Sequence, residues 1–220
     1  MRHEQPLHSV VCAHGMWIAR AGGSVKLAAD FSGWLSGEQL AARLAITNEF
    51  IRRNQMLSLP AVVERKPQPY IAVRARIAMA EMKPAVDKAF QTLFGWLGAN
   101  GVEPVGAAFF KYDLIDMEGK CEIEFAVLVA KDMTAGPGLV AGVLPAGRYA
   151  QVTWTGPYDA LFDVNAVLVG WAREKGLRWD SSATPEGERF AARVEIYENN
   201  PAEVEDPNDL VTTVAIKIAD

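Results

Sequence analysis

The sequence is short of the residues that most catalytic and metal sites need. Its 220 residues hold three histidines and two cysteines, Cys12 and Cys121. Two cysteines make no disulfide framework and suit a reducing compartment. The histidines (His3, His8, His14) all sit at the extreme N-terminus, so no imidazole follows His14. A Ser-His-Asp triad or a Cys-His pair needs an imidazole beside the nucleophile. A zinc site needs several His or Cys ligands. The body of the chain can build neither, so no metal and no cofactor is expected. Chemistry there must run on carboxylates, Tyr, Lys or positioned water. A basic surplus is missing too: 22 Lys and Arg face 27 Asp and Glu, a net charge of −5. Direct nucleic-acid binding is not expected of such a chain. No apolar run is long enough to span a bilayer. The N-terminal run Val10 to Ala13 breaks at His14, which makes a poor signal peptide. A cytoplasmic protein without membrane contact is expected. The Gly-rich stretch 135–142 matches neither GxGxxG nor the P-loop pattern and reads as a linker with turns.

What is present, 50% hydrophobic and 22% charged residues, describes an ordinary globular domain. Residues 1–56 differ from the rest. They read as a poorly ordered extension with one helix near 37–53, where Ser36 and Gln39 resemble a capping box and Leu40, Leu44, Thr47 and Ile51 share a face. One helix is too few for a helix-turn-helix. Met56 is the expected natural start, and the domain is expected to cover 57–220. Its first part, about 60–131, reads as a strand over 70–76, a helix over 82–98 and strands near 105–114 and 121–130. Its second part, about 138–220, repeats the order: a strand over 148–155, a helix from Pro157 to about Lys175, and strands near 188–198 and 209–218. The expected fold class is α+β, a duplicated βαββ repeat with antiparallel sheets, helices on one side and a ligand cleft between the repeats. The sheet face away from the helices is the expected place for the ligand.

The informative stretch is Arg189 to Tyr197. Alternation puts Phe190, Ala192, Val194 and Ile196 on one face and Arg193, Glu195 and Tyr197 on the other. In the first repeat Phe110 takes the place of Glu195, and Tyr112 that of Tyr197. Bringing these together predicts an aromatic pocket around one acid. Rings supply apolar area and attract cations through their faces, and a carboxylate among them adds charge pairing. The candidate ligand-binding residues are Glu195, Tyr197, Phe110, Tyr112, Tyr149 and Trp154. A blander alternative pairs Glu195 with Arg193 or Arg189 on a solvated face.

Gly147-Arg148-Tyr149, Gly156-Pro157-Tyr158-Asp159 and Glu195-Ile196-Tyr197-Glu198-Asn199, in the setting of two βαββ units, resemble the GyrI-like small-molecule-binding domain. That family includes the effector-binding domains of bacterial AraC- and MerR-type transcription activators. The resemblance spans about residues 58–220. It implies a cleft between two βαββ repeats, a central glutamate at Glu195, and an aromatic lining at positions such as Phe110, Tyr112 and Tyr197. It points to a stand-alone binder of small hydrophobic or cationic, drug-like ligands. The resemblance also leaves two alternatives. One is a cofactor-free hydrolase of reactive cyclopropane-bearing compounds, with Glu195 as catalytic acid/base. The other is a regulator's effector domain or a gyrase-inhibitor-like module with a protein partner.

Overall fold

The computed structural model describes residues 55–116 and 118–220. The helix expected near 37–53 lies outside the described residues. Along the described chain run strands β1 (Met56–Leu57), β2 (Ala61–Arg65) and β3 (Gln68–Ile77), helix α1 (Met82–Asn100), and strands β4 (Ala108–Ile115), β5 (Cys121–Leu128), β6 (Val140–Leu144) and β7 (Gly147–Thr155). Helix α2 (Leu161–Glu174) follows, then β8 (Ser181–Thr184), β9 (Gly187–Phe190), β10 (Arg193–Tyr197) and β11 (Val211–Lys217). The strands form one curled antiparallel sheet, a half-barrel, and the two helices complete an α+β fold. No helix among the described residues is long and apolar enough to cross a membrane.

The strand order along the sheet is β1-β7-β11-β10-β4-β5-β3-β6. It reads alike in both directions from the β10–β4 seam. On one side come β4, β5 and β3, and on the other β10, β11 and β7. The outer strands are exchanged between the halves. β2 precedes β3 in the chain but pairs with β7, from Ala61↔Gln151 to Arg65↔Gly147. β6 precedes β7 but pairs with β3, from Gln68↔Leu144 to Ala72↔Val140. With the short β1–β7 and β4–β9 ladders, separating the halves would break five ladders rather than one.

Both helices start and stop for visible reasons. Each is entered through a short 3-10 turn, Met79–Glu81 before α1 and Tyr158–Ala160 before α2. Pro84 sits in the first turn of α1, where its missing N–H costs nothing. Gly101 ends α1 in the left-handed conformation, φ 62°, and its N–H bonds back to the Leu97 and Gly98 carbonyls. Gly176 ends α2 in the same way, with Leu177 N–H returning to the Ala172 carbonyl. The buried stripe of α1 is Met82, Ala89, Leu93 and Leu97; that of α2 is Leu161, Val164, Leu168 and Ala172. These spacings of three, four and seven residues are the helical period.

Each face of the sheet is buried against something different. α2 covers Val152, Trp154, Val214, Ile216 and Phe190. α1 covers Ile71 and Val127 at one end and Phe110, Ile123 and Phe125 at the other. The opposite face holds Tyr70, Ala72, Phe109, Ala126, Tyr149, Val194 and Ala215, closed over by Leu144 of β6 and Val63 of β2. Two expectations are corrected here. Glu195 lies on the helix-bearing face, and Val194 on the helix-free one, which is packed shut and leaves no room for a ligand. The stretch 189–197 is also two strands. It breaks at Ala191-Ala192, which lets Phe190 join the core under α2 while Ala192 joins the opposite one.

The expected linker 135–142 contains part of a strand for a steric reason. A Cβ on Gly142 of β6 would collide with the Tyr70 phenol. That phenol cannot swing away, because its OH donates to Glu124 Oε2 at 2.5 Å. Glu124 also accepts from Arg74 and lies 3.5 Å from Lys111 Nζ, which pairs in turn with Asp113. Burial opposes the Glu124 charge, but Lys111 and the hydrogen bonds from Tyr70 and Arg74 outweigh it and hold the carboxyl below its ordinary range. Gly142→Ala is expected to lower stability by about 1–3 kcal/mol in urea unfolding, the usual size of an overpacking cost. The same change is expected to cost less in a Tyr70→Leu background, because the two side chains share one space.

Candidate functional site

α1 packs on β3 and β5, and α2 packs on β7. The β4–β10 seam in the middle of the sheet therefore has no helix directly above it. The space left there is a cavity of about 900 Å³, walled by both helices and floored by β4 and β10. The register places Glu195 directly opposite Phe110. Tyr112 and Tyr197, each two residues further along its strand, share this face. Phe110, Tyr112, Glu195 and Tyr197 all line the cavity.

The aromatic wall is built edge to face. The Phe110 ring meets Tyr197 at 4.7 Å between centroids and Phe125 at 4.9 Å, both T-shaped. Tyr158 meets the other side of Tyr197 at 5.3 Å. α1 adds Met82, Val86 and Phe90, and α2 adds Leu161, Phe162 and Val169. Such contacts hold each ring by its electron-poor edge against a neighbour's face.

Glu195 is the buried acid of this wall. Its Oε2 accepts from the Tyr112 hydroxyl at 2.9 Å and the Tyr197 hydroxyl at 3.3 Å. Its Oε1 accepts from Asn165 Nδ2 at 3.0 Å. Asn165 also donates to the Leu161 carbonyl, and its Oδ1 accepts from the Arg193 guanidinium at 3.0 Å. The bland alternative is overturned by this geometry. Arg193 bonds to Asn165 rather than to Glu195, and Arg189 pairs with Glu122 at 3.5 Å.

Two expected residues stand elsewhere. Tyr149 lies on the opposite face, fully buried, with its OH donating to the Pro145 carbonyl and Arg65 over its ring. It begins β7 with the wrong parity for the cavity. Trp154 is on the right face but under α2, where its Nε1 donates to the Pro157 carbonyl. Gly156, at φ 147°, packs flat on the indole, and a Cβ there would sit 2.5 Å from the ring. Neither residue lines the cavity. Residue-pattern reasoning missed Asn165, Tyr158 and the inward row of α1. The Gly-Pro-Tyr-Asp motif before α2 was the one signal that pointed to Tyr158.

Burial raises the phenols. Tyr112 and Tyr197 are pushed well above the ordinary tyrosine value by desolvation, and the Glu195 charge pushes the same way. Tyr149 is raised to about 12 by burial, and Tyr70 and Tyr158 also move upward for that reason. These are all five tyrosines of the chain. A phenol raised in the folded state supports folding below its unfolded value, near pH 10, and that support fades as pH climbs through the folded value. Absorbance at 295 nm is expected to show no tyrosinate with a midpoint near 10 while the protein stays folded. Ionisation is expected instead to coincide with loss of the circular dichroism signal.

Residues 60–219 match the GyrI-like small molecule binding domain. No curated protein sequence matches the chain. Its structure is similar to the EcmrR–DNA complex in EcmrR-RPo, seen by cryo-electron microscopy, with a TM-score of 0.58 and 16% identity over 83% of this chain and 67% of that one. It is similar to the EcmrR C-terminal domain at TM-score 0.57 and 18% identity, over 75% of this chain and 99% of that one. It also resembles an uncharacterized conserved protein from Listeria innocua at TM-score 0.52 and 13% identity, over 73% and 92% of the two chains. At these identities the likeness is one of fold. The sequence match covers well over half of the chain, which belongs to the GyrI-like small molecule binding domain family.

Proposed function

We propose that this protein binds a flat, lipophilic small molecule that carries a positive charge or a hydrogen-bond donor, and that it acts as a stand-alone store or sensor of such compounds. The observation that carries this reading is the state of Glu195. A carboxylate offers about four acceptor positions, and Tyr112, Tyr197 and Asn165, all neutral, occupy three of them. Among the described residues no Lys or Arg forms an ion pair with it. Its orientation is held, while its charge and one acceptor position stay available to a guest. At about 4 Å and an effective dielectric of about 20, a cation there gains about 4 kcal/mol of attraction before its own desolvation is counted. The rings of Phe110 and Tyr197 supply the apolar surface that a flat guest covers.

Two measurements test this. Fluorescence titration with a cationic aromatic dye is expected to saturate, with affinity falling about tenfold or more in Glu195→Gln, the loss of one charge-assisted contact. A neutral dye of the same shape is expected to lose little. Unchanged binding of the cationic dye in Glu195→Gln would remove the acid from the site. Product analysis of the same mixtures, with a cyclopropane-bearing compound included, separates storage from turnover. The hydrolase reading requires consumption of that compound by the wild type and none by Glu195→Gln.

A further inference from the structure

The cavity has a second charge that a cation-only site does not explain. Arg193 lines it, two residues before Glu195 on the same face of β10. A guanidinium has five N–H donors in a rigid fork. One is used, toward Asn165 Oδ1. One flat side rests on the Phe190 ring, 5.3 Å from its centroid. Among the described residues no carboxylate forms an ion pair with Arg193. Arg74, Arg76 and Arg189 on this sheet have carboxylate partners, while Arg65 and Arg148 donate to the Gln151 side chain and the Ala219 carbonyl, away from the cavity. Water-poor surroundings make an unmatched guanidinium costly, and burial lowers its pKa despite the pull of Glu195.

Asn165 is what keeps the two charges from cancelling each other directly. Its amide presents oxygen to the cation and nitrogen to the anion. The wall therefore carries a fixed dipole, positive at Arg193 and negative at Glu195, with one amide between them. A ligand bearing only a cation would meet Glu195 but leave the remaining donors of Arg193 unmatched. A ligand with an acidic group beside its cationic one would match both.

Building on the cavity reading above, we infer that the preferred ligands are zwitterionic aromatics. A carboxylate or sulfonate receives the free donors of Arg193, while a cationic or donor group meets Glu195. Asn165 is the positioning residue that sets the spacing of the two contacts.

Rhodamine B and its ethyl ester form a matched probe pair. They share the rings and the cation, and only the former has a free carboxylate. The wild type is expected to bind rhodamine B about tenfold more tightly than the ester, the scale of one charge-assisted pair. Arg193→Met is expected to abolish the tenfold preference for rhodamine B over the ester. Arg193→Lys, which keeps the charge but not the fork, is expected to fall between. Because the acid-to-ester comparison is made first on the wild type, it needs no variant to fold. Equal binding of the two probes by the wild type overturns the inference while leaving the cavity reading intact, provided Glu195→Gln weakens both. Exclusion of the acid does the same. Binding of neither probe overturns the inference and the cavity reading together.

Discussion

The site depends on the register of the β4–β10 ladder. Side chains alternate across a strand, so the pairing of Glu195 with Phe110 decides which face receives the acid. A slip of one residue would turn Glu195 toward Tyr70, Phe109 and Tyr149, on the side that β2 and β6 close. There it would meet packed rings and the Asp113 and Glu124 carboxylates of the Lys111 network, and Val194 would enter the cavity in its place. The pattern Val-Glu-Ile-Tyr favours this register because a third buried carboxylate beside Asp113 and Glu124 is far more costly than a displaced valine. The donors that hold Glu195 come from β4, β10 and α2 on the cavity side, while those of the other face already serve Glu124 and Asp113.

A cavity of this size in a well-packed domain needs a cause, since protein interiors otherwise approach crystal density. The strand order provides one. Each helix rests on the outer strands of its own half, α1 on β3 and β5 and α2 on β7. The two innermost strands are left only partly covered where the halves meet, α1 reaching no further than Phe110. Filling that gap would take a third helix or much larger side chains. The opposite face has no such gap because the exchanged strands β2 and β6 curl over it. That face is sealed with packed rings and the Arg74, Lys111, Asp113 and Glu124 network. One face is thus rigid and closed, and the other is held open by topology.

Much of this was legible in the residues. Helical spacing located α1 and α2 to within a few residues, and alternation along β10 paired Arg193, Glu195 and Tyr197 on one face. Phe110 and Tyr112 followed from the similarity of order in the two halves. Alternation divides a strand into two faces, however, and does not say which one the helices cover. Both faces are buried here, so hydrophobicity could not decide, and the cleft was expected on the wrong side. The break at Ala191-Ala192 left no mark in the pattern, since two alanines fit either face. Gly142 concealed a strand because its reason for being glycine is a phenol seventy-two positions away in sequence. Asn165 reads as a solvent-facing helix residue until α2 is laid against β10. Tyr149 stood in one of the family's motifs and Trp154 on the cavity's face of β7, but parity placed the first in the opposite core and α2 covers the second.

The choice of donors for Glu195 has its own physical logic. A lysine or arginine in contact would hold the carboxylate equally well but would neutralise it, leaving the cavity wall with little to offer a charged guest. Tyr112, Tyr197 and Asn165 orient it without cancelling its charge. Burial and the Glu195 charge itself push both phenols upward in pKa, so they stay protonated and keep donating across the physiological range. The same carboxylate that needs the donors thereby secures their protonation. The cost of desolvating it is offset by three neutral hydrogen bonds, and the field that remains unscreened acts across the cavity. Preorganised dipoles of this kind interact with a guest without rearranging. That is why a wall made mostly of hydrocarbon can still discriminate among guests by charge.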